Sequence, residues 1–458
     1  MRVIICGAGQ VGFGIAEKLS RENNDVTVID QSPQLVSAIR DTLEVRGFVG
    51  HGAHPDVLAR AGANEADMIV AVTLYDEVNM VACQVAHSLF NLPTKIARIR
   101  AQTYMEKHWS NLFSREHMPI DVVISPEIEV GEMVLRRMAQ PGATETIPFS
   151  DEKVTVLGIL CGEDCPVVDT PLRQLTELFP DLNATVVGIV REENLFVPHS
   201  GDQMMIGDTV YVMTPTERVK RTLTIFGKEE ELGARIVIAG GGNIGLYVAS
   251  NLEIRSSRTK AKLLELDHRR AVNIAEKLDR TVVLHGSAID ETILKEADIS
   301  NADTIVALTN DDKINILSCV MAKKLGCHRS MCLLNDTAFP ALTPTIGIDA
   351  YVNPRAVTVS RILQHVRRGR IRNVHTIQNG DAEVIEAEAL ETSPLVGRPI
   401  RDLELPDGIR IGAIVHKGEV LKPVGETQIL PGDRFIIFAM ADQVARVEQM
   451  ARVSLEFF

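Results

Sequence analysis

Two glycine-rich turns of the same design, 233 residues apart, constrain this chain more than any other feature. The first is Gly7-Ala8-Gly9-Gln10-Val11-Gly12, directly behind the apolar run at 2–6 and ahead of a helix-like segment at 15–20. The second is Gly240-Gly241-Gly242-Asn243-Ile244-Gly245, behind a second apolar run that starts at Arg235. In a strand–turn–helix unit the first glycine of G-x-G-x-x-G makes the tight turn. The second lets the backbone approach a pyrophosphate, and the third lets the helix pack on the strand. The phosphates sit at the helix N-terminus, where unpaired N–H groups and the helix dipole favour negative charge. One copy is a weak signal. Two copies in one chain predict a duplicated dinucleotide-binding unit.

The segments around the first turn support that reading. The strand-like run 25–30 ends in Asp30, 18 residues beyond Gly12, close to the spacing of the acid that accepts hydrogen bonds from an adenosine ribose. An acid there repels a 2′-phosphate, which favours NAD(H) or another adenine nucleotide over NADP(H). Asp30 could instead cap the helix that Ser32-Pro33 opens, but behind G-x-G-x-x-G the ribose role is the better reading. Strand-like runs at 47–50, 67–73, 95–100 and 121–125 then alternate with helical segments at 54–61, 76–90 and around Trp109. Apolar strands alternating with helices predict a parallel sheet covered on both faces, a doubly wound Rossmann-like α/β domain. Its ligand lies at the carboxyl ends of the strands.

After a helix at 127–138 the pattern changes to short strands at 154–160, 185–190 and 209–213, with a turn at 191–194 and one short helix at 171–178. This is a small α+β module, followed by a charged stretch, 218–231, that reads as helix plus linker. From Arg235 the same order restarts. Thr73, Asp76 and Asn79 align with Thr309, Asp312 and Asn315, Pro126 with Pro354, and Gly207-Asp208 with Gly432-Asp433. The chain is therefore expected to hold four domains, nucleotide-binding (1–125), small (126–228), nucleotide-binding (233–354) and small (355–458), with a connecting helix opening each small one. The second half keeps an acid at the ribose position, Glu265, 20 residues past Gly245. It departs at the fifth strand, where Ala97-Arg98-Ile99-Arg100 becomes Cys332-Leu333-Leu334-Asn335. A guanidinium at that strand's end can neutralise a pyrophosphate. Only the first half has one there, so the two sites should not bind alike.

Bulk properties narrow the function. A formal net charge of −13 argues against a nucleic-acid partner, because phosphate backbones need a basic face. Seven cysteines without a disulfide-framework spacing suit a reducing cytoplasm. Cys161 with Cys165, and Cys327 with Cys332, read as small buried residues rather than halves of a metal site, since no His/Cys pair stands nearby. No run approaches the ~18–20 apolar residues of a membrane span, and residues 2–6 read as a strand rather than as part of a signal peptide. Any work at a membrane is expected from the cytoplasmic side, as a peripheral subunit.

The motifs Gly7-Ala8-Gly9-Gln10-Val11-Gly12, Val70-Ala71-Val72-Thr73, Asp76-Glu77-Val78-Asn79 and Ile96-Ala97-Arg98-Ile99 together resemble the RCK (KTN) domain family, which gates potassium channels and transporters. The small domains carry a matching signature, Pro198-His199-Ser200-Gly201 with Gly207-Asp208, and Pro423-Val424-Gly425 with Gly432-Asp433. Both repeats, and essentially the whole length, share the resemblance. It implies a cytosolic regulator docked on the membrane potassium-translocating subunit of a Trk-type uptake system. It further implies a homo-oligomer, a dimer or tetramer forming a ring of RCK domains, with NAD(H), and ATP or ADP in the same clefts. By resemblance, the nucleotide contacts are the turn Gly7, Ala8, Gly9, Gln10, Val11 and Gly12, with Asp30, Thr73, Leu74 and Arg98. In the second half they are Gly240, Gly241, Gly242, Asn243, Ile244 and Gly245, with Glu265, Thr309 and Asn310. The adenine-side loops read Gly50-His51-Gly52 and Gly286-Ser287-Ala288.

Two other readings compete. An NAD-dependent oxidoreductase needs a catalytic His, Lys or Tyr beside the nicotinamide. His51 and His54 are the candidates, but Ser287 and Asp290 replace them in the second half. A nucleotide sensor with a non-transporter partner is the other. Two clefts without clustered acid–base groups favour a regulator over an enzyme.

Overall fold

The computed structural model describes every residue except 23, 180–181, 229–232, 337, 340–341, 344, 367–370 and 452–458. By their contacts the residues fall into two compact units. One joins Met1–Met133 with Ala234–Val366, and the other joins Val134–Gly233 with Arg367–Phe458. Equivalent domains of the two repeats are thus paired with each other.

In the first unit the chain runs β1 (Arg2–Cys6), α1 (Gln10–Arg21), β2 (Asp25–Asp30), α2 (Pro33–Thr42), β3 (Arg46–Val49) and α3 (Pro55–Arg60). It continues through β4 (Met68–Ala71), α4 (Asp76–Phe90), β5 (Thr94–Arg98), β6 (Val122–Ile124) and α5 (Pro126–Ala139). The six strands form one parallel sheet in the order β3-β2-β1-β4-β5-β6. Cys6 at the end of β1 lies opposite both Ile29 on β2 and Ala71 on β4. The sheet order reverses at β1/β4, and that switch point is where a doubly wound sheet opens its ligand crevice. The central strands are mostly apolar because helices cover both faces, with Lys95 on β5 and Thr27 on β2 as buried polar exceptions. Ser32 caps α2, its hydroxyl accepting from Leu35 N at 3.3 Å, with Pro33 at the first helical position. The stretch around Trp109 is helical, as short 3₁₀ turns.

Between the two nucleotide domains the chain forms β7 (Glu145–Phe149), β8 (Val154–Leu160), α6 (Leu172–Leu178), β9 (Thr185–Arg191), β10 (Asn194–Phe196), β11 (Thr209–Pro215) and α7 (Val219–Ile225). The charged stretch 218–231 is helical over α7, and residues 229–231 lie outside the described set. The second half repeats the first with β12 (Arg235–Ala239), α8 (Asn243–Arg255), β13 (Lys260–Glu265), α9 (His268–Ala275), β14 (Val282–His285) and α10 (Glu291–Glu296). Then come β15 (Thr304–Ala307), α11 (Asp312–Lys324), β16 (Arg329–Leu333), β17 (Ala350–Val352) and α12 (Pro354–Val366). The parallel order is β14-β13-β12-β15-β16-β17, the same as in the first half. The chain ends with β18 (Ile371–Ile377), β19 (Ala382–Glu388), β20 (Ile409–His416), β21 (Glu419–Leu421), β22 (Arg434–Met440) and α13 (Val444–Ala451).

The connecting helices cross over, which the sequence reading did not anticipate. Helix α12 follows the second nucleotide domain, yet Val359, Ile362, Leu363 and Val366 complete the core of the first, against Val3, Ile5, Ile15 and Leu19. Each such burial contributes about 1.5–3 kcal/mol, so α12 belongs with the first nucleotide domain by packing, although from sequence it opens the last small one. Reciprocally, α5 packs on α8, where Tyr247 fills the space left by Gly131 and donates to Glu132 Oε1 at 2.7 Å. The opposite pair reverses the sizes. Gly14 on α1 faces Val359 on α12, and a Cβ there would stand 3.1 Å from Val359 Cγ2. Arg361 on α12 also bonds Glu129 on α5 at 3.1 Å, so the crossing helices touch.

In the second unit both sheets are antiparallel, with orders β10-β9-β11-β8-β7 and β18-β19-β22-β20-β21. They share one core, Val156, Val187, Tyr211 and Met213 against Val384, Val415, Ile436 and Phe438. The Gly-Asp signature has a structural role. Asp208 is buried, accepting from Met205 N and pairing with Arg191 at 2.7 Å, while Asp433 accepts from Leu430 N and meets His416. Edge strands β7 and β10 were not expected from the sequence. Proline in β7 and the shortness of β10 hide them.

Candidate functional site

The carboxyl ends of the two parallel sheets open into one cavity of about 1260 Å³, lined by residues of both nucleotide domains. Each glycine turn divides its work as the spacing predicts. Gly7 has a φ of +114°, and Gly240 of +106°. A Cβ on Gly12 would overlap the carbonyl oxygen of Gly7, and one on Gly245 that of Gly240, so the helix lies directly on the turn. A Cβ on Gly9 or Gly242 would meet nothing within 4 Å. Those two faces are open to the cavity, at the first turns of α1 and α8, where N–H groups have no helical acceptor.

The strand-end acids are fixed by the turns beside them. Asp30 accepts from Ala8 N at 2.7 Å through one oxygen and from Ser32 N at 2.8 Å through the other. Glu265 accepts in the same way from Gly241 N and Asp267 N, both at 2.8 Å. Because Ser32 and Asp267 cap the helices, the acids are left free to face the cavity. Each carboxylate oxygen keeps a lone pair, so a ribose diol can donate to both. The ends of β4 and β15 are held by buried asparagines. Asn79 accepts from Thr73 N and Oγ1 at 2.8 and 2.7 Å and donates to Arg98 O at 2.9 Å. Asn315 does the same for Thr309 and Leu333. Leu74 and Leu266 are 73% and 70% exposed on the cavity wall, apolar surface of the kind an adenine ring covers.

Of the residues named from sequence, Gly7, Gly9, Gln10, Val11, Asp30, Thr73, Leu74 and Arg98 line the cavity from the first half. Gly240, Gly242, Asn243, Ile244, Glu265, Thr309 and Asn310 line it from the second. Ala8, Gly12, Gly241 and Gly245 do not. Ala8 and Gly241 turn their N–H groups to the acids, and the third glycines face the turn. The adenine-side loops contribute Gly50, Gly52, Gly286, Ser287 and Ala288. His51 and His54 stack on each other, ring centroids 4.4 Å apart, outside the lining.

The cations are arranged more fully than the sequence reading had it. Arg98 donates from Nη2 to Thr73 O at 2.7 Å, while its buried Nε has no protein partner. Burial, with Arg100 nearby, pushes the guanidinium below its ordinary value. Such a group is stabilised by an anion. Arg100 is tied to the buried Glu127 at 2.9 Å. In the second half Leu333 occupies the place of Arg98, but a guanidinium arrives from elsewhere. Arg270 on α9 donates from Nε to Gly241 O at 2.6 Å, over the glycine turn. The fifth strand of the second half thus ends without a cation, as its sequence indicates, and Arg270 brings one to the cleft from α9. Arg355 on α12 also lines the cavity. Among the described residues there is no cluster of acids, histidines and cysteines able to hold a metal ion, and no helix long and apolar enough to cross a membrane.

Comparison with known proteins agrees with this architecture. A family model described as the TrkA-N domain matches residues 3–126 and 236–354, and the TrkA-C domain matches 156–227 and 384–452. A Trk system potassium uptake protein TrkA from Azorhizobium caulinodans is 59% identical over the full length of both chains. Its namesake from Halomonas elongata is 39% identical, again over the full length of both. Among solved structures, the GsuK RCK domain aligns with a TM-score of 0.60 at 18% identity, covering 98% of this chain and 94% of that one. The GsuK channel bound to NAD aligns with a TM-score of 0.61 at 17% identity, covering 98% and 78%. These are likenesses of fold. With two nucleotide domains and two small domains matched in tandem, and with full-length relatives named for potassium uptake rather than for a reaction, the chain belongs to the Trk system potassium uptake protein TrkA family.

Proposed function

We propose that the chain is the cytosolic regulatory subunit of a Trk-type potassium uptake system, binding NAD(H) and ATP or ADP in its two clefts. It gates a membrane potassium-translocating subunit from the cytoplasmic face of the inner membrane, as a dimer or tetramer that assembles an RCK ring. The nucleotide contacts are the cavity-lining residues of both glycine turns with Asp30, Thr73, Leu74 and Arg98, and with Glu265, Thr309 and Asn310. The domain limits 1–125, 126–228, 233–354 and 355–458 belong to the same proposal.

The observation that carries this reading is a pair of acids, each held by its own glycine turn, at the mouths of two clefts that share one cavity. A ligand there touches groups of both nucleotide domains. Its occupancy then favours whichever arrangement of those domains it contacts better, which is all a ligand needs to shift an equilibrium. The GsuK channel, a fold neighbour, is bound to NAD in its own structure.

The partner is tested by affinity purification of the tagged chain from detergent-solubilised membranes. A polytopic potassium transporter co-purifies if the reading is right. Recovery of the chain with soluble enzymes and no membrane protein would contradict it.

A further inference from the structure

The crossing of the connecting helices places unlike charges at equivalent positions of the two clefts. Arg355 and Glu127 are the second residues of α12 and α5, 228 apart. Glu127 is buried and tied to Arg100. Arg355 reaches across to the other half. Its guanidinium carbon lies 5.9 Å from the centre of the Phe13 ring on α1, and among the described residues it has no carboxylate or hydrogen-bond partner. Its approach depends on Gly14, where a Cβ would stand 3.4 Å from Nε and 3.5 Å from Nη2. In the second half Tyr247 occupies the position of Gly14, its ring packed against Gly131 of α5.

We propose that Arg355 reads the terminal phosphate of a nucleoside triphosphate in the first cleft. This rests on the reading above that the clefts hold adenine nucleotides. With the ribose on Asp30 and the first two phosphates over Gly9 and the start of α1, a third phosphate extends beyond the turn toward α12. An unpaired guanidinium there gains a charge-assisted, bidentate contact with a terminal phosphate. A diphosphate ends short of it, and a dinucleotide continues as an uncharged ribose. The first cleft thereby ranks a triphosphate above a diphosphate, and the second, facing Glu127, does not. A triphosphate would also join the glycine turn of one half to a helix that begins in the other, which a diphosphate cannot do.

The test is calorimetric titration of the full chain carrying Glu265→Ala, which weakens the second cleft, with ATP, ADP and NADH in turn. Adding Arg355→Gln should lower ATP affinity about tenfold or more and leave ADP and NADH within about twofold, the scale for one charged hydrogen-bonding partner lost. Arg355→Lys should restore part of the preference for ATP. Unchanged ATP affinity, or equal losses for ATP and ADP, would overturn the inference while leaving nucleotide binding intact. No binding of any nucleotide to the Glu265→Ala chain would overturn the nucleotide reading itself.

Discussion

Replacing Gly9 with alanine will leave the protein folded and remove nucleotide binding from the first cleft, whereas replacing Gly12 with alanine will destabilise the fold itself. The two glycines differ in what surrounds the missing side chain. Gly9 has a φ of −66°, which alanine adopts without strain, and its added methyl meets no protein atom within 4 Å. That methyl instead occupies the face against which phosphates must lie. At Gly12 the methyl collides with the carbonyl oxygen of Gly7, a backbone atom that cannot turn aside. Helix α1 must then lift from β1, loosening the contacts of Ile15 and Leu19. Overpacking of this kind costs about 1–3 kcal/mol, sometimes more. Urea denaturation read beside calorimetry separates the cases. A Gly9→Ala protein of lowered stability and full affinity would reverse the assignment.

Asp30→Ala should weaken adenine-nucleotide binding in the first cleft by about 1–3 kcal/mol, and Glu265→Ala should do the same in the second. The carboxylate has two tasks. Both oxygens accept backbone N–H groups, which fixes the group in place before a ligand arrives. An asparagine cannot substitute, because its amide would set a donor against one of those N–H groups. A variant that loses affinity while its denaturation midpoint stays put has lost the ribose contact. Calorimetry showing undiminished affinity in Asp30→Ala would remove the acid from the site.

Much of this was legible in the chain because the constraints are local. A glycine that must take a φ of +114° and an acid at a fixed distance behind it leave their mark within a few residues. The repeat then doubled each observation, so that Asn79 and Asn315 or Asp208 and Asp433 pointed to the same architecture twice. What the sequence did not show depends on distance in space. An arginine near the start of an amphipathic helix is by default a solvated side chain. Nothing within α9 or α12 says that Arg270 turns over the glycine turn of its own half or that Arg355 crosses to the other. The exchange of α5 and α12 was hidden for the same reason. Neither helix's own sequence names the half it packs on, which shows only in contacts such as Gly14 opposite Val359 and Gly131 opposite Tyr247, pairs more than 100 residues apart.

On the proposed function, nucleotide in the paired clefts controls potassium movement through a membrane partner. Its most direct test is rubidium flux through the membrane subunit of the same Trk system, reconstituted in vesicles with this chain and with ATP, ADP or NADH. Flux should change with the nucleotide supplied, and a chain carrying both Asp30→Ala and Glu265→Ala should still dock but give one flux whatever nucleotide is present. Flux through the complex that is the same with every nucleotide and with none, for the unaltered chain, would contradict it.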